Sequence, residues 1–522
     1  MNYLQDLPVL VLGLGESGLA MARWCARCGA SVRVWDSREK PPHAAALAEH
    51  VPAATLATGA LTDETFVGVK LVLKSPGLAP TDARIAAPLA RAVDTGILVQ
   101  GELDLFVRAL ADLKQERGYA PQLLAITGTN GKTTTTAMTA LLVERAGKRV
   151  ATAGNIGPTM LATLASALDA GELPDVWVLE LSSFQLDEAR GFEPSAGAIL
   201  NITEDHLDWH GTMAAYAAAK ARVFGKDAVM VVNRDDPAVE KRVTQVLEPP
   251  AAPAGKSGAK VKAPKPPKAI ERDIIRFGLD APHHPGDFGL VVENGMAWLV
   301  RAIPAEETER RARSRATEPE EIFLQRLMPA DALRVRGRHN AANALAALAL
   351  ATAIGCPLAP MLHGLREYAG EPHRVEFIAT VGGIDAYDDS KGTNVGATVA
   401  ALDGLGADKA PAKLVVILGG DGKGQDFAPL AGPVARHVRA AATIGRDAER
   451  IESALAPTGV PIQRHETLPS AVRWCFAQAR AGDAVLLSPA CASLDMFRNY
   501  GHRAEVFVAE IRALAAEHGE MI

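Results

Sequence analysis

The stretch Gly128-Thr129-Asn130-Gly131-Lys132-Thr133-Thr134 lies between a short apolar run, Leu123 to Ile126, and a segment with helical spacing (Met138, Leu141, Leu142) that stops at Gly147. A glycine-framed turn opening a helix turns its backbone N–H groups into a concave site for phosphate, at the positive end of the helix. From that position Lys132 reaches the β and γ phosphates of a nucleotide, and the Thr133 hydroxyl can take Mg²⁺. Counted from Gly128, the spacing is tighter than G-x-x-x-x-G-K-[ST]. An ordinary Gly/Thr-rich loop would not need a lysine followed by hydroxyls at a strand-to-helix junction, so nucleotide binding is the expectation.

Two further groups belong to the same edge. Val176-Trp177-Val178-Leu179-Glu180-Leu181 reads as a strand covered on both faces. Glu180 interrupts it near the carboxyl end, where a buried carboxylate needs a cation or strong hydrogen bonds. Ala198 to Ile202 reads as another such strand, running into Thr203-Glu204-Asp205-His206. Thr133, Glu180 and His206 thus offer hydroxyl, carboxylate and imidazole to Mg²⁺. A lone histidine is more often a hydrogen-bonded structural group; His206 gains weight because Asp205 and Glu180 crowd its edge. The chemistry that needs this much positive charge is attack of a carboxylate on ATP. Two unit charges ~4 Å apart repel by about 1 kcal/mol in water and several-fold more at a drier site. A triphosphate multiplies that penalty, which metal ions, Lys132 and Lys391 would offset.

The elements that must position these groups repeat one theme. Val9 to Leu12 reads as a buried strand followed by Gly13-Leu14-Gly15-Glu16-Ser17-Gly18 and a helix, and a second strand, Ser31 to Trp35, ends at Asp36-Ser37-Arg38. This is a dinucleotide-type fingerprint that suits any diphosphate-linked nucleotide. A third strand, Val69 to Leu73, runs into Lys74-Ser75-Pro76-Gly77 at the same sheet edge. After the phosphate loop come Val150 to Thr152, the strands bearing Glu180 and His206, an Ala-rich helix with Tyr216 and Lys220 one turn apart, and Val229 to Val232. Residues 249–269 are rich in Pro, Ala and Lys, and 306–321 in Glu and Arg; both suit solvated insertions. An Ala-rich helix with Asn340 and Asn343 follows. Residues from 372 onward read as a further α/β unit with strands Ile384–Tyr387, Leu414–Leu418 and Ala484–Leu487. The expected fold is α/β in three domains: an N-terminal Rossmann-like unit (1–100), a central P-loop ATPase-like parallel sheet (101–371) and a C-terminal Rossmann-like unit (372–522).

With 522 residues, 48% hydrophobic content and a net charge of −6, the chain reads as a soluble globular protein, and nothing favours nucleic acid or membrane as its partner. Five cysteines, an odd number, argue for a reducing compartment. Cys25 and Cys28 form a C-x-x-C expected mid-helix, where buried small side chains are a better reading than a redox or zinc pair. The beginning of the sequence lacks the pattern of a secretory signal and no apolar run is long enough to span a bilayer, so a cytoplasmic, monomeric protein is expected.

The ordered set Gly128 to Thr134, Gly154-Asn155-Ile156-Gly157, Glu180 to Gln185, Asp205 to Asp208, His339 to Asn343, Pro372-His373-Arg374 and Asp389-Ser390-Lys391 resembles the motifs of the Mur ligases. Those are the ATP-dependent amide-forming enzymes of peptidoglycan assembly, and the resemblance spans nearly the whole chain. It is nearest to the branch that adds D-glutamate to UDP-N-acetylmuramoyl-L-alanine. The first unit ends in Asp36-Ser37-Arg38, Asn130 stands where the alanine-adding branch typically has His, and Ser488 to Phe497 resembles the branch's C-terminal signature. No Asp-Asn-Pro-Arg, the mark of the diaminopimelate-adding branch, is present. A folate-polyglutamating ligase resembles the later domains but typically lacks the first.

The resemblance implies roles. Glu16, Ser17, Asp36, Ser37, Ser75 and Gly77 would hold the UDP-sugar, and Asn155 would help position the substrate. Gly128, Thr129, Asn130, Gly131, Lys132, Thr133 and Thr134 would cradle ATP. Asn343 would meet adenine, and Arg374, Asp389 and Lys391 would act on phosphates and ribose. Thr133, Glu180, His206 and Lys220 would bind two Mg²⁺ ions, with Lys220 carbamylated as is common in the family; by sequence alone Lys220 is a helix-surface ammonium. Thr393, Lys423, Ser493 and Tyr500 would receive D-glutamate, Tyr500 standing where the family pattern has phenylalanine. Because ATP's partners come from two domains and the sugar nucleotide's from a third, closure of the C-terminal domain is expected as a productive step.

Overall fold

The computed structural model describes residues 2–247, 271–304, 321–335 and 337–520. Of the segments read above as insertions, 249–269 and all of 306–321 but its last residue lie outside the described residues. Among the described ones, three sheets follow one another along the chain. The first holds β1 (Pro8–Leu12), β2 (Ser31–Asp36), β3 (Thr55–Thr58), β4 (Leu71–Lys74) and β5 (Leu98–Gln100) in the order β3-β2-β1-β4-β5, all parallel.

The second holds β6 (Gln122–Thr127), β7 (Val150–Gly154), β8 (Val176–Glu180), β9 (Ala196–Ile199), β10 (Val229–Asn233), β11 (Ile274–Phe277), β12 (Phe288–Glu293), β13 (Met296–Pro304) and β14 (Ile322–Pro329). Their order is β14-β13-β12-β11-β10-β9-β6-β8-β7. Strands β7 to β11 pair in parallel around β6, so their carboxyl ends share one edge; β8 is buried along its whole length. The sheet is not parallel throughout, as the sequence suggested. β12, β13 and β14 form an antiparallel extension, begun by the tight turn Asn294-Gly295 between β12 and β13, which needs no crossover helix.

The third sheet holds β15 (Glu376–Val381), β16 (Ile384–Asp388), β17 (Leu414–Gly419), β18 (Val438–Ile444), β19 (Ile462–Arg464) and β20 (Ala484–Leu487), ordered β15-β16-β20-β17-β18-β19 with β15 alone antiparallel.

The helix Glu102–Arg117 joins the first two sheets. Leu103, Phe106 and Leu110 bury themselves in one apolar core that includes Val9 and Trp24 on one side and Trp177 and Leu179 on the other. Phe106 and Trp177 meet edge to face at 4.9 Å. Cys25 lies in the last turn of the helix Glu16–Arg27 and Cys28 caps it, a turn later than mid-helix because Gly29 takes up the left-handed conformation that ends the helix. All five cysteines are buried free thiols, and burial raises the pKa of Cys25 and Cys28. None of the described helices is long and apolar enough to cross a membrane.

Candidate active site

The phosphate loop connects β6 to the helix Lys132–Arg145. Gly131 caps that helix at φ +82°, and a Cβ there would stand 2.6 Å from Asn343 Oδ1. Only glycine combines that backbone with so close a neighbour. Asn201, just past β9, fixes the loop from beneath: its Oδ1 accepts from Asn130 N (2.8 Å), its Nδ2 donates to Asn130 O (3.0 Å), and its carbonyl accepts from Thr129 N (3.0 Å). This is why β9 ends at Ile199 and does not continue through Ile202. The Thr129 and Tyr216 hydroxyls lie 3.1 Å apart and the Thr129 hydroxyl donates to Thr203 O, tying the loop to the helix Met213–Ala221.

Two ammonium groups converge on one loop carbonyl. Lys132 Nζ donates to Gly128 O (2.8 Å) and Thr129 O (2.9 Å), and Lys220 Nζ donates to Gly128 O (2.8 Å). Lys220 is buried, so it is not the surface ammonium its sequence context suggests. Burial and then the charge of Lys132 hold its pKa well below that of an ordinary lysine. Burial also pulls Lys132 down, while Glu180 pulls it back. Glu180 is 1% exposed; its Oε1 accepts from Asn155 Nδ2 at 2.8 Å, and its Oε2 is buried with no partner. A buried carboxylate oxygen without a donor is a place for a cation.

His206 stands at φ +55° with its ring edge-on to Phe184 at 4.7 Å. Burial lowers its pKa, with Asp205 opposing and Lys423, Lys132 and Lys220 adding to the fall. The neutral imidazole that results can act as a ligand or an acceptor.

The third domain reaches onto this loop. Arg374 Nη2 donates to Thr133 Oγ1 (2.6 Å), and Asn394 Nδ2 donates to Asn130 Oδ1 (3.0 Å). The cleft between them is lined by Asn130, Thr134, Asn343, Glu371, Arg374 and Asp389. Asp389 accepts from Ser488 Oγ (2.6 Å), and burial pushes its pKa up to about 7. Lys391 Nζ lies 5.3 Å above the Tyr500 ring, and its pKa is lowered by burial and by Arg374.

A second cleft, of about 490 Å³, opens at the carboxyl edge of the first sheet and is lined by Glu16, Ser17, Asp36, Ser37, Ser75 and Gly77 together with Arg38 and Arg84. Several of these side chains already have partners, Asp36 and Ser75 among them. Asp36, 2% exposed, accepts from Arg38 through both oxygens and from Leu14 N (2.7 Å); the Arg38 bonds hold its pKa down to about 2. Ser75 Oγ donates to Gly13 O at 3.0 Å. They shape the backbone of the cleft. Glu16 approaches the Gly154–Gly157 loop, its Oε2 lying 3.8 Å from where a Cβ on Gly157 would be. Lys74 Nζ lies 5.7 Å from the Trp209 ring, which stacks on Phe184 beside His206. This second cleft therefore leads toward the phosphate loop.

Three family models cover most of the chain: a MurD-like N-terminal domain at 8–101, a Mur ligase middle domain at 126–275, and a Mur ligase glutamate ligase domain at 373–491. A protein of Albidiferax ferrireducens named UDP-N-acetylmuramoylalanine--D-glutamate ligase is 58% identical over 521 residues, covering 99% of this chain and 98% of its own. One of the same name from Burkholderia pseudomallei is 58% identical over 528 residues, covering 98% of each. The chain belongs to the Mur ligase family. The solved structure of UDP-N-acetylmuramate-alanine ligase from Thermotoga maritima matches 97% of this Mur ligase and 99% of its own chain, with a TM-score of 0.53 and 19% identity. MurF from Acinetobacter baumannii matches 98% and 91%, with a TM-score of 0.54 and 16% identity. At such identities these two speak for the three-domain fold alone.

Sequence reasoning gave no role to several residues of this Mur ligase that hold its site together: Asn201, Asn394, Arg84 and His373, the last quoted only as part of a motif. Asn201 had a signal, a carboxamide directly after an apolar run. Asn394 caps the helix Val395–Lys409 and looked like an ordinary cap. His373, whose Nδ1 pairs with Asp388 Oδ2 at 2.7 Å, and Arg84, which donates to Ser37 Oγ at 3.0 Å, have partners too distant along the chain for any local pattern to show.

Proposed function

We propose that this Mur ligase joins D-glutamate to UDP-N-acetylmuramoyl-L-alanine at the expense of ATP, in the making of the peptidoglycan precursor. The observation that carries the chemistry is the gathering of Lys132, Lys220, Arg374 and Lys391 around the phosphate loop, beside a buried carboxylate with an unpartnered oxygen. Such a site suits an anion attacking an anion. The choice of D-glutamate rests on the near full-length relatives that carry that name.

The L-alanine carboxylate attacks the γ-phosphorus; the bond to the β–γ bridging oxygen breaks, and ADP leaves an acyl phosphate. The amine of D-glutamate attacks the acyl carbon, loses a proton, and phosphate departs from the tetrahedral intermediate. Thr133, Glu180 and His206 are a hard donor set that fits Mg²⁺, and two ions are proposed here; bound, Mg²⁺ would neutralise part of the triphosphate's charge. Lys220, buried and with a depressed pKa, is suited to react as a free amine with CO₂, and its carbamate would be an anionic ligand to those ions. Arg374 donates to the Thr133 hydroxyl, which places its guanidinium beside the phosphate loop, where it would meet the phosphates of ATP. Asn155 would act through Glu180. Asn343 and Asp389 would take the adenosine, and Thr393, Lys423, Ser493 and Tyr500 the incoming amino acid. In the cleft of the first domain, Glu16, Ser17, Ser37 and Gly77 would contact the UDP-sugar, with Asp36 and Ser75 fixing their loops.

Domain limits at 100/101 and 371/372 go with this reading, since each sheet falls within one interval. A monomer working in the cytoplasm, where ATP and UDP-sugars are made, completes it. The test is phosphate release from ATP with UDP-N-acetylmuramoyl-L-alanine, comparing D-glutamate with L-glutamate, L-alanine and diaminopimelate. Release dependent on D-glutamate is expected; turnover with L-glutamate alone would overturn the specificity.

A further inference from the structure

Three loops leave the carboxyl edge of the third sheet side by side. The one after β20 carries Ser493, the one after its neighbour β17 carries Lys423, and the turn Gly445-Arg446-Asp447 follows β18, on the other side of β17. That turn bonds to both of the other loops. Asp447 Oδ2 accepts from Gly422 N (2.7 Å) and Asp447 N donates to Gly420 O (3.0 Å). Arg446 Nη1 donates to Asp421 Oδ2 (2.9 Å), and Arg446 N donates to Asp495 Oδ2 (2.9 Å) in the segment after Ser493. Gly445 lies at φ +75°, and a Cβ there would come within 2.6 Å of Asp495 Oδ2 and 2.8 Å of Gly420 Cα. The three loops are that close.

The chain of contacts ends on Lys423. Asp421 Oδ1 accepts from Lys423 N (3.1 Å) while Oδ2 is held by Arg446. Lys423 sits at φ +50°, a conformation side chains other than glycine's seldom adopt. Such a residue keeps its shape only when its surroundings impose it. The imposing group is the Asp421 carboxylate, and Arg446 fixes which way that carboxylate turns. Asp421 also pairs with Ala492 through both backbone bonds, so the same residue registers the Lys423 loop against the loop of Ser493.

We infer that Arg446 is a positioning residue for the incoming amino acid: through Asp421 it sets the ammonium of Lys423 relative to Ser493, without itself touching substrate. The inference rests on the D-glutamate reading above. The Arg446 side chain is 64% exposed, and an ion pair so exposed contributes little to stability. The function can therefore be separated from folding.

The experiment measures KM for D-glutamate, ATP and UDP-N-acetylmuramoyl-L-alanine in the parent, Arg446→Ala and Arg446→Lys, with a thermal midpoint for each. In Arg446→Ala the KM for D-glutamate is expected to rise about tenfold, the scale of one charge-assisted hydrogen bond. The KM for ATP, the KM for the sugar nucleotide and the midpoint stay at parental values, and Arg446→Lys recovers part of the loss. An unchanged KM for D-glutamate overturns the inference alone, provided the parent turns D-glutamate over. So does an equal rise for all three substrates, or a lysine variant no better than alanine. A parent that shows no D-glutamate-dependent release overturns the functional reading and this inference with it.

Discussion

Between the first and second domains, Phe106 stands against Trp177 inside a single apolar core that runs from Val9 and Trp24 to Leu179. Between the second and third, the bonds noted at the phosphate loop are polar, Arg374 to Thr133 and Asn394 to Asn130. Among the described residues no buried apolar cluster joins the third domain to the other two. An apolar joint is rigid, since parting it would expose its whole core to water. A polar joint exchanges its hydrogen bonds with water at little net cost. The first two domains thus form one platform, and the third can be moved by whatever occupies the cationic site between them. That is the arrangement closure on a nucleotide requires.

The sharpest way to separate the two joints is at Lys132. In Lys132→Ala the phosphate-release rate is expected to fall about 10²–10³-fold, the scale of one preorganised charge-stabilising donor, while the thermal midpoint moves little. A folded variant working at the parental rate would end the ATP reading. On the apolar side the effect reverses. Phe106→Ala is expected to cost about 3–5 kcal/mol in denaturant unfolding, with the folded fraction retaining near-parental turnover; an unmoved midpoint would show that the core is not shared.

A pH series sharpens the contrast, because each side has one carboxyl that burial raises to about 7: Glu102 at the apolar joint, whose Oε1 accepts from Leu161 N, and Asp389 beside the nucleotide cleft. Both keep a proton in the native state that they lose when unfolded. The stability this provides is complete below 4.5 for Glu102 and 3.8 for Asp389, and is lost as pH rises through about 7. The slope is at most about 1.4 kcal/mol per pH unit for each proton. Glu102→Gln and Asp389→Asn should each flatten part of the fall of thermal midpoint with pH; a parental slope in both would refute the shifts. The smallest effect is expected for Asn394→Ala, about 1 kcal/mol or less. X-ray scattering should then show a more extended average particle, which compacts with an ATP analogue and the sugar nucleotide; absence of any compaction in the parent would count against closure.

How far the fold and site were legible varies with the range of the interactions that set them. The strand, turn and helix of the phosphate loop were legible because apolar run, glycine and lysine are neighbours. Glu180 stood out as a charge inside an apolar strand, and the structure buries it with one oxygen unpartnered. The end of β9 was misread because Leu200 to Ile202 are as apolar as a strand, yet Asn201 turns its amide to the loop. β12 to β14 were not read at all: the first two lie between two segments whose polarity drew attention away, and β14 follows directly on the second. Lys220 looked like a surface lysine on an Ala-rich helix, and only the packing of that helix against the loop puts its ammonium on Gly128.

The sequence by itself determined the chemical inventory: a phosphate loop, a buried acid at a strand end, three α/β units and the motifs of one ligase family. These depend on residue type and on spacings of a few positions, which chain geometry converts directly into strands, turns and helices. Only the tertiary structure decided that Arg374, 241 positions along from Thr133, rests on its hydroxyl, that two lysines share one carbonyl, and that Asp36 and Ser75 are already taken. Those facts come from how whole domains pack, through contacts between residues far apart in the chain, which no local pattern encodes.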